Sequence, residues 1–440
     1  MRRFLIGAGA LAVIIAFAAC EPDRPVVGPE DEEPAEPVQL ADWVPSTRSE
    51  DLQDGTYRGW FGDGGEMQVN VQFSIEDNVI TGAGFRYLGY DGTDYRDSDQ
   101  EVIEGIAEQH RVALESLIGE DPRIRLGTLY DPGSIVGDEY DVDEFTGATI
   151  RANKIIYAIR DGLNRGVYRF DNGTPEHYYP VRGESFQDGT YRGVYEDRQE
   201  MQVNVQFTIE DSVISAIRFR HLAYSDTDFL DTEDEVIKGL RDQHIELIEY
   251  LEGRDVRTAL RDLYEPGEIV GPEHDIDGMT GATLRSTKVI SAIRDGLNRG
   301  VYGFAGDVPE GYRNIVDESF EDGVYRGTFA DGGTMQVNVQ FTLEDNVVTS
   351  ARFRHLAYGG LDYRDDHDDP IAGIARQHEV ALEHLVDRDI RGTLRDLYTP
   401  GYIVGDEYDV DGYSGATIRA TKIRSAVRDA LNSGPYTLAD

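Results

Sequence analysis

Two periodicities divide the chain. In Met67-Gln68-Val69-Asn70-Val71-Gln72-Phe73 every second residue is apolar, which predicts a strand with one buried face. A turn at Glu76-Asp77-Asn78 leads to another strand-like run through Val79, Ile80 and Phe85, and Thr56-Tyr57-Arg58-Gly59 opens the set. The period then lengthens. From Val102 to Ile118, the residues Ile103, Ile106, His110, Leu114 and Leu117 share one helical stripe. After a Pro-Gly turn, as in Tyr264-Glu265-Pro266-Gly267, comes an amphipathic run carrying Leu284, Val289, Ile290, Ala292, Ile293 and Leu297, which Gly300 stops.

This succession occurs three times at a spacing of 134 residues. Asp54-Gly55, Asp188-Gly189 and Asp322-Gly323 open the copies, and Met67, Met201 and Met335 each begin MQVNVQF. The predicted architecture is α+β: three tandem repeats, each a small antiparallel sheet followed by helices. The units span 50–183, 184–317 and 318–440. The middle copy has Arg198-Gln199 in place of Gly64-Gly65, so its turn is expected to differ.

Ahead of each final helix stands one recurrent device. It reads Asp143, Thr146, Gly147, Ala148, Thr149 in the first copy, Asp277, Thr280, Gly281, Ala282, Thr283 in the second, and Asp411, Ser414, Gly415, Ala416, Thr417 in the third. A hydroxyl before a helix caps free backbone N–H groups, and the helix dipole favours negative charge there. Capping accounts for one hydroxyl, but neither for the second nor for the aspartate three positions ahead of the first.

The pattern Asp-x-x-Ser/Thr-Gly-Ala-Thr resembles the covalent-flavinylation motif of the FMN-binding domain family, which includes peripheral subunits of sodium-pumping NADH:quinone oxidoreductases. The resemblance extends to the DGTYRG segment and the hairpin after it. It implies FMN joined through its phosphate to Thr149, Thr283 and Thr417 by a separate flavin transferase, with Asp143, Asp277 and Asp411 helping to present the motif. A phosphodiester on the first turn of a helix sits where backbone donors stabilise an anion. His110, His244 and His378 recur on the apolar face of the preceding helix, each after a glutamine. They admit two readings, a packed core histidine or a contact to the flavin. The tyrosines Tyr130, Tyr264 and Tyr398 likewise are either packing residues or covers for the flavin ring.

Metal chemistry has little footing. No His-x-x-x-His or comparable spacing accompanies the histidines. Asp409-Val410-Asp411-Gly412 resembles the opening of a calcium loop, yet neither the third ligand nor the closing glutamate stands in register.

Residues 1–20 carry Arg2 and Arg3, an apolar core, and Ala18-Ala19 before Cys20, the layout of a lipoprotein signal with Cys20 as the acylated residue. Cys20 is the single cysteine, so its acylation leaves none for a disulfide, an iron–sulfur cluster or a Cys-x-x-Cys-His haem site. Residues 21–49 are rich in Glu, Asp and Pro and predict an extended, self-repelling spacer.

Formal charge is −42, from 84 acidic and 42 basic residues, and loss of Arg2 and Arg3 with the signal takes it to −44. Such a surface excludes nucleic acid as a partner and suits a saline habitat. Together with the signal, the resemblance implies an electron carrier outside the cytoplasm, tethered to the membrane by an N-terminal lipid and holding up to three covalent FMN groups. Its redox donor and acceptor are unassigned, and the surrounding carboxylates are expected to lower the flavin potential. The alternative is a surface binding or spacer protein built from the same modules without flavin. No nucleophile elbow, paired-acid motif or metal triad marks a hydrolase.

Overall fold

In the first unit, strand β1 (Gly55–Asp63) pairs antiparallel with β2 (Glu66–Glu76), β2 with β3 (Val79–Tyr90), and β3 with the two-residue β4 (Thr93–Asp94). The β2–β3 turn falls on Asp77 and Asn78, both with positive φ, the geometry that matches the twist of a two-residue hairpin. Helices α1 (Glu101–Glu115), α2 (Pro122–Arg125), α3 (Gly133–Val136) and α4 (Ala152–Arg165) follow. The second unit repeats the order as β5 (Gly189–Asp197), β6 (Glu200–Glu210), β7 (Val213–Tyr224), β8 (Thr227–Asp228), α5 (Glu235–Leu251), α6 (Val256–Asp262), α7 (Gly267–Val270) and α8 (Ser286–Arg299). The third comprises β9 (Gly323–Asp331), β10 (Thr334–Glu344), β11 (Val347–Tyr358), β12 (Leu361–Asp362), α9 (Ile371–Glu383), α10 (Ile390–Thr393), α11 (Gly401–Val404), α12 (Ala420–Ser433) and β13 (Thr437–Leu438). The fold is thus α+β, three antiparallel sheets each followed by helices.

This computed structural model describes residues 52–136, 152–178, 180–181, 186–270, 286–310, 312, 319–365, 367–368, 371–404 and 419–439. The signal, Cys20, the acidic spacer and all three threonine motifs lie outside the described residues. Among the described residues no helix is long and apolar enough to cross a membrane.

The last long helix of each unit lies directly on the first strand, and glycine permits the approach. A Cβ on Gly59 would stand 2.0 Å from the Ala158 carbonyl oxygen and 2.2 Å from the Gly162 nitrogen. Val69, Val71 and Phe73 meet this helix in a core with Ile155, Ala158 and Ile159.

Two expectations change. The middle hairpin keeps its turn without glycine, since Arg198 and Gln199 adopt the same positive φ as Gly64 and Gly65. The first half of strand β2 is buried on both faces rather than one, because Gln68 and Asn70 are nearly as enclosed as Val69 between them. What covers that polar face is another unit.

The three units close into a ring. Tyr168 of the first stacks on Tyr195 of the second at 5.8 Å, Tyr302 on Phe329 of the third at 5.6 Å, and Tyr436 returns to stack on Phe61 of the first at 5.6 Å. Over each tyrosine lies a guanidinium, Arg58, Arg192 or Arg326, between 3.8 and 4.0 Å from the ring centre. Three asparagines close a cycle of their own. The Asn298 amide donates to the Asn164 carbonyl at 2.9 Å, Asn432 to Asn298 at 2.8 Å, and Asn164 to Asn432 at 3.0 Å. Tyr264 and Tyr398 donate to the carbonyls of Val167 and Val301 in the preceding unit, and Tyr130 to Pro435 of the last, each at 2.5 Å. These tyrosines are packing residues that bind one unit to the next.

Candidate functional site

At the start of α12 a cavity of about 120 Å³ opens between the second and third units. The helix contributes Arg419, just ahead of it, and Lys422 in its first turn. Strands β10 and β11 add Gln336 and Tyr358, and α9 adds His378. From the preceding unit come Arg192 on β5 and Arg220 on β7. Both clasp Asp331, Arg220 through two bonds of 2.5 and 2.8 Å and Arg192 through one of 2.9 Å.

Among the described residues the lining sets Arg192, Arg220, Arg419 and Lys422 against one carboxylate, Asp331, an excess of positive charge in a chain of net −42. The Lys422 ammonium lies 4.8 Å from the centre of the Tyr358 ring. Burial pushes it down to about 8 even though Asp331 pulls the other way; Arg419, Arg192 and Arg220 add to the fall. A lysine so placed gains from an incoming anion.

His378 is buried, and Nδ1–H donates to the Ile374 carbonyl at 2.8 Å, which leaves Nε2 as an acceptor. Its ring lies near Phe353 and Tyr363, and burial lowers it to about 4, so it is neutral at physiological pH. His110 and His244 make the same bond to Ile106 and Leu240 and are lowered equally, again chiefly by burial. Each is a satisfied, buried histidine, and His378 in addition lines the cavity.

Gln336 donates from Nε2 to the Asp331 carbonyl at 3.0 Å while its Oε1 is buried without a hydrogen-bond partner. Gln68 and Gln202 carry the same orphaned oxygen in their units. A buried acceptor without a donor is costly, and an N–H group from a ligand relieves it.

The other two units repeat the arrangement. Arg86 grips Asp197 at 2.7 and 2.8 Å with Arg58 at 3.4 Å, and Lys288 stands 4.7 Å from the Tyr224 ring centre. Burial alone would raise the Asp197 carboxyl; Arg86, Arg58 and Lys288 hold it below the usual range. Across the closing seam Arg326 and Arg354 of the third unit bind Asp63 of the first, and Lys154 lies 5.6 Å from the Tyr90 ring centre.

The threonines and motif residues at 143–149, 277–283 and 411–417 lie outside the described residues. In sequence, Arg419 follows Thr417 by two positions and Lys422 by five, so the basic residues begin where the motif ends. Sequence reasoning missed the arginine pairs, the lysines and the tyrosines at 90, 224 and 358. Their recurrence at 134-residue spacing was the available signal, and it carried no hint that the arginines serve the neighbouring unit.

Residues 199–298, from the end of the β5–β6 turn through most of α8, match the FMN-binding domain family. This likeness supports FMN as the ligand of a flavin-binding protein. No curated protein and no solved structure matches the chain.

Proposed function

We propose that the protein is a membrane-tethered electron carrier outside the cytoplasm, bearing up to three FMN groups esterified through phosphate to Thr149, Thr283 and Thr417. The observation that carries this reading is the cationic cavity at the helix start just after the motif, in a chain otherwise strongly acidic. Its residues fit the group. Arg419 and Lys422 would hold the phosphate, Tyr358 offers an aromatic face, and the unpartnered Oε1 of Gln336 would accept an N–H from the ring. When bound, flavin supplies reversible uptake of one or two electrons. The chain's own residues position it, neutralise its phosphate and shield it on the side packed against the neighbouring unit. Cys20, once acylated, would anchor the array, with residues 21–49 holding it off the membrane.

Intact mass of protein produced with a flavin transferase tests the reading. Three FMN adducts that survive denaturation are expected, with one lost for each Thr→Val change at 149, 283 or 417. Bare threonines in protein from its native host would sink it and favour a spacer or binding protein.

A further inference from the structure

We propose that each flavin site is completed by an arginine pair borrowed from the preceding unit around the ring, and that this pair raises the potential of the flavin held by the next unit. The inference rests on the flavin reading above. It adds that the three sites are mutually dependent, the first being finished by the last.

The geometry repeats without exception. Arg58 and Arg86 reach Asp197, Arg192 and Arg220 reach Asp331, and Arg326 and Arg354 reach Asp63. The first two pairs lie 139 and 111 positions ahead of their aspartates, so they follow the chain. The third pair lies 263 and 291 positions beyond Asp63, which only a closed ring allows. In the third unit both arginines line the cavity itself, enclosed enough that solvent screens them poorly.

Asp331 offsets one of the two guanidinium charges, and with Arg419 and Lys422 the described lining is net positive. Guanidinium stays charged at every working pH, so this field is fixed. Uptake of two electrons and one proton by neutral flavin leaves one negative charge on the ring. In the test the electrons come from dithionite through mediators, and the proton from water. A fixed positive field stabilises that charge, so the local effect opposes the one expected from the acidic surface.

The experiment uses the full chain loaded with FMN and titrated spectroelectrochemically. In Arg192→Gln/Arg220→Gln, intact mass should still count three FMN groups, while one third of the flavin absorbance titrates at a more negative potential. Arg192→Lys/Arg220→Lys, which keeps the charge, should restore the parent curve. In a chain whose only flavin is on Thr149, made with Thr283→Val and Thr417→Val, Arg326→Gln/Arg354→Gln should shift the whole signal. Full loading with an unmoved potential, or a shift of the flavin in the arginines' own unit, would overturn the proposal while leaving the flavin reading intact. Bare threonines in the parent protein would overturn both. Should the glutamine variants not fold, Asp331→Asn must move the Thr417 flavin to a more positive potential, and no movement counts against the proposal.

Discussion

Two joints of the ring follow the chain, and the third closes its end onto its beginning. In three contacts all of them are alike, with the same tyrosine stack, arginine clasp and asparagine bond. In their buried ion pairs they differ. Arg165 joins Asp161 at 2.7 Å and Asp295 at 3.4 Å, and Arg299 joins Asp295 and Asp429, both at 2.9 Å. At the closing joint the corresponding position is Ser433, and Asp429 and Asp161 have no guanidinium from that position between them. The seam instead uses Tyr157 where the other joints have Ser291 and Ser425. Its hydroxyl donates to the Gly434 carbonyl at 2.6 Å, and its ring packs edge-on against Phe61 and Tyr436. A buried ion pair stabilises only when its desolvation is repaid, so an aromatic plug serves the joint that the chain does not tether. The difference leaves these buried groups with more acid than base. Burial drives Asp429 up to about 6 and Glu196, near Arg165 and Arg299, up to about 8.

The largest effect is expected at the seam. Tyr157→Ala removes a buried ring and should cost about 3–5 kcal/mol in urea unfolding, by analogy with aromatic truncations, whereas Ser291→Ala should cost about 1 or less. Solution scattering should show Tyr157→Ala more extended. Equal losses for the two variants would mean the seam is open in solution.

Next come the buried acids. Glu196 has a folded value above its ordinary one, so its stabilising contribution is complete below about 4.5 and is lost as pH rises through about 8. The three buried histidines act oppositely, lowered from 6.5 to about 4, so their contribution is complete above 6.5 and fades as pH falls through about 4. Stability from these groups therefore peaks near pH 6.5. Glu196→Gln should flatten the alkaline decline and gain roughly 2 kcal/mol at pH 8 relative to pH 6.5, read from denaturation at both values. An unchanged slope would remove Glu196 from these buried groups.

How far the sequence reached follows from where its information lies. Strand and helix periods are local, so MQVNVQF and the stripe through His110 declared their elements, and the equal spacing of three copies declared the α+β units. Burial of Gln68 and Asn70 was not legible, because what covers them is another copy of the same surface. The match of residues 199–298 to the FMN-binding domain family agrees with the resemblance read from the motif, whose threonines lie outside the described residues. The arginine pairs escaped notice because a charged residue in an alternating strand reads as solvated. Their role appears only once Asp197, Asp331 and Asp63 stand opposite them. Tyr157 against Ser291 and Ser425 was visible as a departure from the repeat, but nothing in the sequence marked it as the closure.

The asparagine cycle tests the likeness of the three joints. Each side chain donates one bond to the next carbonyl, so Asn164→Ala, Asn298→Ala and Asn432→Ala should each cost about 1 kcal/mol and agree within about 0.5. A markedly smaller loss at Asn164 than at Asn298 in urea titrations would show the closing joint to be weaker in its asparagine bond too.

The smallest effect separates surface from interior. A net charge of −42 repels itself across solvent, and salt of about 0.1 M already confines that repulsion to roughly 10 Å. The thermal midpoint should therefore rise by a few degrees between low salt and about 0.5 M NaCl, and a flat or falling midpoint rejects surface repulsion as a destabilising force. Screening acts weakly on enclosed groups such as Arg165, Arg299 and Asp295, so the gain from Glu196→Gln at pH 8 should persist at high salt. If salt instead erased that gain, the acid excess among the buried groups would have to be open to ions, and the closed seam would be the first feature to give up.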